Sequence, residues 1–171
     1  MVSSYIVWQY RIPVTSMLRQ YRYETLLAIN APLDVELRLM DELTITFLKT
    51  YQVWHHRQLL ITLTRKPKQE LAFVAKVLSG EDQKNYHTWS YRQWLLSYFN
   101  DEEDLWSTEL DFIDLILSKD VRNNSAWHHR FFVVWASGVR DGEGDRERIL
   151  RRELMCGPEP FSRLFALLTV P

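Results

Sequence analysis

The chain has 171 residues, 46% of them hydrophobic, which suffices for a core and is close to the size of one domain. A net charge of −1, with both signs mixed along the chain, argues against a general nucleic-acid binder, whose affinity would rest on clustered Lys and Arg. The single cysteine, Cys156, excludes an internal disulfide and fits a reducing, cytoplasmic setting, and the chain has no apolar run of the roughly 18 residues a membrane span needs.

The first element is Ser4-Tyr5-Ile6-Val7-Trp8-Gln9-Tyr10-Arg11: a capping residue, then Tyr, then Trp and Arg at three-residue steps. The same device returns at Thr50-Tyr51-Gln52-Val53-Trp54-His55-His56-Arg57 and at Asn85-Tyr86-His87-Thr88-Trp89-Ser90-Tyr91-Arg92. With one change it stands again at Asn123-Asn124-Ser125-Ala126-Trp127-His128-His129-Arg130. Ser4, Thr50, Asn85 and Asn123 are helix N-caps by type, so the Tyr is predicted to open each helix. Trp8, Trp54, Trp89 and Trp127 then share a face with Arg11, Arg57, Arg92 and Arg130. On that face the Trp fills the gap to the preceding helix and the Arg pairs with a carboxylate of a neighbouring unit.

Trp54 to Trp89 is 35 residues and Trp89 to Trp127 is 38, periods that belong to solenoids of helix pairs. Between the motifs Leu71, Val74, Ala75 and Leu78 recur at helical spacing after Pro67, as do Trp106, Leu110, Ile113 and Leu117. The predicted architecture is a single all-α domain spanning 1–171, a solenoid of helical hairpins.

Trp8 to Trp54 is 46 residues, and Gln9-Tyr10-Arg11 recurs 11 residues later as Gln20-Tyr21-Arg22. Residues 12–22 therefore read as an insertion, with a kink or loop expected near Pro13. Beyond Asp141-Gly142-Glu143-Gly144-Asp145 a charged helix is expected over Arg146 to Met155, and residues 156–171 break the pattern as an aberrant tail. These two features also fit a product of altered splicing.

The doublets His55-His56 and His128-His129 invite a metal reading, but helix neighbours point about 100° apart and do not converge, so no metal site is expected in this chain. The mouths of the turns carry more chemistry. Lys49, Tyr51, Gln52, Tyr86 and His87 stand where helix N-termini favour an anion, and together they suit a phosphate that gains charge as it leaves. The plainer reading is that Lys49 and Lys84 only cap the carbonyl end of the preceding helix.

The motifs at Thr50–Arg57, Lys84–Trp89 and Asp120–Trp127 resemble successive repeats of the protein prenyltransferase alpha subunit family. They are most similar to the alpha subunit shared by protein farnesyltransferase and geranylgeranyltransferase type I, over roughly Ser4 to Leu154 outside the insertion. That resemblance implies a right-handed alpha-alpha superhelix, wrapped round a beta subunit that holds zinc and the lipid pocket, with Mg²⁺ assisting. It implies transfer of a farnesyl or geranylgeranyl group from a prenyl diphosphate to the cysteine of a CaaX-box protein. By motif position Lys49 would stabilise the departing diphosphate, with Tyr86 and His87 assisting. Tyr51 would line the same mouth, Gln52 would bind the substrate's terminal carboxylate, and Tyr5 matches a position beside the active-site groove. The Rab geranylgeranyltransferase alpha subunit and a non-catalytic protein-binding scaffold share the Trp-x-x-Arg rhythm and stand as alternatives.

Overall fold

The computed structural model describes residues 16–80, 82–100 and 104–141, and 147, 151 and 153 besides. The motif at 4–11, with Tyr5, Trp8 and Arg11, lies outside the described residues, as do Pro13 and the tail 156–171. The described residues form helices and turns without a strand. The helices are α1 (Ser16–Ala28), α2 (Leu33–Thr46), α3 (Tyr51–Thr64), α4 (Pro67–Leu78), α5 (Tyr86–Tyr98), α6 (Asp104–Ser107), α7 (Glu109–Lys119) and α8 (Asn124–Asp141).

The chain divides into two compact units, Met1–Asp101 and Glu102–Pro171. In the first, α2 pairs with α3 and α4 with α5 as hairpins, while the second helices stack on one another, α1 on α3 and α3 on α5. In the second, α7 and α8 form the hairpin. Residues 16–22 of the expected insertion are helical and belong to α1. The predicted run from Trp106 to Leu117 is broken at Thr108, which separates the single turn α6 from α7.

The helix boundaries follow from local chemistry. Pro67 opens α4 at the first helical position, where its missing N–H costs nothing and its fixed φ is already helical. α3 and α5 begin at Tyr51 and Tyr86, as the motif predicts. Asn85 caps α5, its Oδ1 accepting the Thr88 N–H at 3.2 Å, and Asn123 caps α8 by accepting from Ser125 and Ala126 at 3.1 and 3.2 Å. Thr50 departs from this: it is the N-cap of α3, but its side chain makes no cap hydrogen bond. The donor it would have served, the Val53 N–H, is already taken by the Thr50 carbonyl at 3.1 Å.

Apolar burial holds the hairpins together. Met40 and Leu43 of α2 meet Val53 and Leu60 of α3, flanked by Leu33, Leu37, Leu39 and Phe47. Each such side chain removed from water contributes about 1.5–3 kcal/mol. In the second hairpin Leu71, Val74 and Leu78 are buried on α4 and Trp89, Leu95 and Leu96 on α5, and in the second unit Leu110, Ile113 and Leu117 are buried on α7, which pairs with α8.

Candidate functional site

Three tryptophans share one task. The indole N–H of Trp54 donates to the Leu48 carbonyl, that of Trp89 to Gln83 and that of Trp127 to Val121, each at 2.8 Å and each six residues upstream. The Trp therefore fills space and also closes the turn that leads into its own helix, which fixes where the residue before the cap stands. In the second repeat that residue is Lys49.

The Leu48 carbonyl also accepts from a second repeat. Asn85, 5% exposed, donates its Nδ2 to Leu48 O at 3.5 Å and to Asp82 Oδ2 at 3.0 Å, while its Oδ1 caps α5. One carbonyl thus ties the turn carrying Lys49 to the turn carrying Tyr86 and His87. Lys49 is exposed and makes no hydrogen bond or ion pair with any described residue, so the plainer reading, in which it caps the preceding helix, has no bond behind it. Tyr51 is 56% and Tyr86 76% exposed, both phenols open to a ligand. Tyr86 meets the half-buried His87 ring edge to face at 5.7 Å. Gln52 is half-buried on the first turn of α3. The structure therefore brings Lys49, Tyr51, Gln52, Tyr86 and His87 to two neighbouring helix starts, where free backbone N–H groups and partial positive charge suit an anion.

The first helix of each hairpin carries a buried carboxylate. Glu36 of α2, Glu70 of α4 and Glu109 of α7 are 5%, 3% and 0% exposed. Each bonds the residue two places after the motif Trp or its repeat equivalent: His56 Nε2 to Glu36 at 3.0 Å, Tyr91 OH to Glu70 at 2.6 Å, His129 Nε2 to Glu109 at 2.6 Å. The second histidine of each doublet is thus held by a carboxylate. Among the described residues no group of three or more His, Cys, Asp or Glu is placed to hold a metal.

The arginines extend the network. Arg57, 2% exposed, donates Nε and Nη2 to Glu70, the latter at 2.9 Å, pairs with Asp41 at 2.6 Å, and lies 3.7 Å over the Phe73 ring. Burial opposes its charge, but the hydrogen bonds and charge of Glu70 outweigh that and raise it above the ordinary arginine value. Burial, joined by the Glu70 charge, pushes the Tyr91 phenol well above its usual range. At Glu36 burial works toward the neutral acid, yet hydrogen bonds from His56 and Arg22 prevail and draw it down to about 2. Arg92 donates Nη1 to the Leu71 carbonyl at 3.1 Å, and Arg130 pairs with Asp114 and, at 2.9 Å, with Glu153. The prediction that motif arginines pair with neighbouring carboxylates thus holds at Arg57 and Arg130.

The model for the protein prenyltransferase alpha subunit repeat matches residues 33–64, 67–99 and 106–137, which are the α2/α3 hairpin, the α4/α5 hairpin and α7/α8 with part of α6. The chain belongs to that family of helical-hairpin repeats. It is 26% identical over 156 residues to the geranylgeranyl transferase type-2 subunit alpha of Saccharomyces cerevisiae, across 86% of this chain and 45% of the relative. To the mouse protein of the same name it is 27% identical over 154 residues, across 86% of this chain and 26% of that one. Its fold is similar to Candida albicans protein geranylgeranyltransferase-I complexed with GGPP, with a TM-score of 0.71 and 29% identity over 91% of this chain and 54% of the other. The chain spans less than half the length of these curated relatives.

Proposed function

We propose that this chain serves as the alpha subunit of a heterodimeric protein prenyltransferase. It works in the cytoplasm on proteins ending in a CaaX box and takes a farnesyl or geranylgeranyl diphosphate as donor. The observation that carries the reading is the shared Leu48 carbonyl, which holds the Lys49 turn beside the Tyr86–His87 turn. The thiolate sulfur of the acceptor cysteine attacks C1 of the prenyl chain; the C1–O bond breaks and the diphosphate leaves with the electron pair. Lys49 meets the charge that grows on that leaving group, and Tyr86 and His87 supply hydrogen bonds to it. Tyr51 lines the same mouth and Gln52 donates its amide to the acceptor's terminal carboxylate. Zinc held by the beta subunit would lower the thiol pKa, and Mg²⁺ would share the diphosphate charge.

A second reading is a type-2 enzyme acting on Rab-type carriers, and the names of the curated relatives favour it. The CaaX reading rests on the motif strings at Asn85-Tyr86-His87-Thr88-Trp89 and Val121-Arg122-Asn123-Asn124-Ser125, and on the likeness to the type-I structure. Co-expression with matching beta subunits separates them. A stable complex that prenylates a CaaX peptide is the expected result. Transfer to Rab-type carriers alone moves the assignment to the second reading, and a complex without transfer to either leaves a non-catalytic scaffold.

A further inference from the structure

We infer that Arg22, and not Arg11, holds the arginine place of the first repeat, so that the eleven-residue offset between the two Gln-Tyr-Arg copies takes Tyr5 and Trp8 out of the 35-residue count. Arg22 stands 35 residues before Arg57, which stands 35 before Arg92. Arg22 grips Glu36 through Nε and Nη2 at 2.7 and 2.6 Å, just as Arg57 grips Glu70 through the same two nitrogens. Glu36 and Glu70 are each the fourth residue of their helices, α2 and α4. α1 stacks on α3 as α3 stacks on α5. The chain also leaves α1 and α3 through left-handed residues the same 35 positions apart, Asn30 at φ 48° and Arg65 at φ 47°. Neither is glycine, so this coincidence marks a repeated turn rather than generic freedom.

The duplicated tripeptide explains why sequence alone does not choose. Deleting residues 9–19 or residues 12–22 leaves the same string, Trp-Gln-Tyr-Arg-Tyr-Glu, and so assigns the arginine to either copy. The ion pair with Glu36 decides for the second copy, and the inserted residues are then 9–19. In that register Ser16 holds the place that Tyr51 and Tyr86 hold in the next two repeats. Arg22 acts only as a positioning residue, through Glu36.

The test uses the full chain. Arg22→Gln is expected to cut the folded-to-unfolded ratio in urea by roughly thirtyfold. It should also raise the carboxyl titration of Glu36, followed by NMR, from about 2 toward the ordinary carboxylate range. Arg22→Lys keeps the charge and should restore part of the shift, which also covers the case in which the glutamine variant does not fold. Arg11→Gln should leave stability and titration unchanged. A Glu36 titration that responds to Arg11→Gln, or ignores Arg22→Gln and Arg22→Lys, overturns the inference. A full chain that transfers nothing with its beta subunit, with the Arg22 results intact, sinks the proposed function and leaves the register standing.

Discussion

Glu70 joins the two hairpins of the first unit, and its removal should be costly. The carboxylate is 3% exposed and accepts from Arg57 Nε, from Arg57 Nη2 at 2.9 Å and from Tyr91 OH at 2.6 Å. In Glu70→Ala the Arg57 guanidinium stays buried with Asp41 as its remaining carboxylate, and that partner is 43% exposed. The Tyr91 hydroxyl, on a side chain only 2% exposed, loses its acceptor. Breaking one side of a buried pair costs about 3–5 kcal/mol, and an orphaned hydroxyl about 1–3. Since Asp41 retains part of the charge pairing and the two losses are coupled, about 4 kcal/mol is expected for the variant. Against a total of about 5–15 kcal/mol for a domain, that should move the urea midpoint far to lower denaturant. The double variant Glu70→Leu with Arg57→Met should recover much of the loss, because apolar side chains of similar volume replace a buried pair at little cost. Should Glu70→Ala cost under about 1 kcal/mol, or the double variant cost the sum of its singles, the network would not be holding the hairpins together.

Glu36 sets a pH dependence. Its folded-state value, about 2, lies below the ordinary 4.5, so its contribution is complete above 4.5 and is lost as pH falls toward 2. Urea unfolding between pH 6 and roughly 2 should show a loss of about 3 kcal/mol that is much smaller in Glu36→Gln; equal slopes would refute the assignment. Lys49→Ala in an active complex should lower kcat by roughly tenfold to a hundredfold while prenyl diphosphate affinity changes little; equal losses in both would mean that Lys49 binds only the ground state. Asn85→Ala should cost about 1–2 kcal/mol in a urea melt through the lost cap. Asn85→Asp keeps the acceptor for Thr88 but removes the donations to Leu48 and Asp82 and sets two carboxylates together, so it should be no milder in the melt and should also lower kcat; an unchanged kcat would show that Lys49 does not depend on the bond to Leu48.

Much of the repeat was legible because its signals are local. Cap type and three-residue spacing fixed the starts of α3 and α5, and Pro67 marked the start of α4. The spacing argument also kept His55-His56 and His128-His129 from being read as ligands, and the structure gives His56 and His129 to Glu36 and Glu109 instead. What escaped were the long-range partners. Glu36, Glu70 and Glu109 were not singled out, since nothing within a helical turn announces that a residue 20 or 21 places later will bond them. Their offset from the motif, constant to within one residue, was the available signal. Arg22 was assigned to the insertion because its triplet occurs twice. At Thr50 residue type predicted a cap, but the backbone carbonyl had already satisfied the donor.

The acceptor that ties the two rim turns together is a main-chain oxygen, belonging to Leu48. A main-chain atom survives any replacement of its own side chain, so position 48 is free to drift through evolution without loosening the anchor. Length is another matter. One residue gained or lost between 48 and 54 would carry the indole past its target, and the interval from 48 to 85 is fixed from the far side as well. This junction should tolerate substitution and reject indels, a bias that would be visible in the pattern of gaps among its relatives.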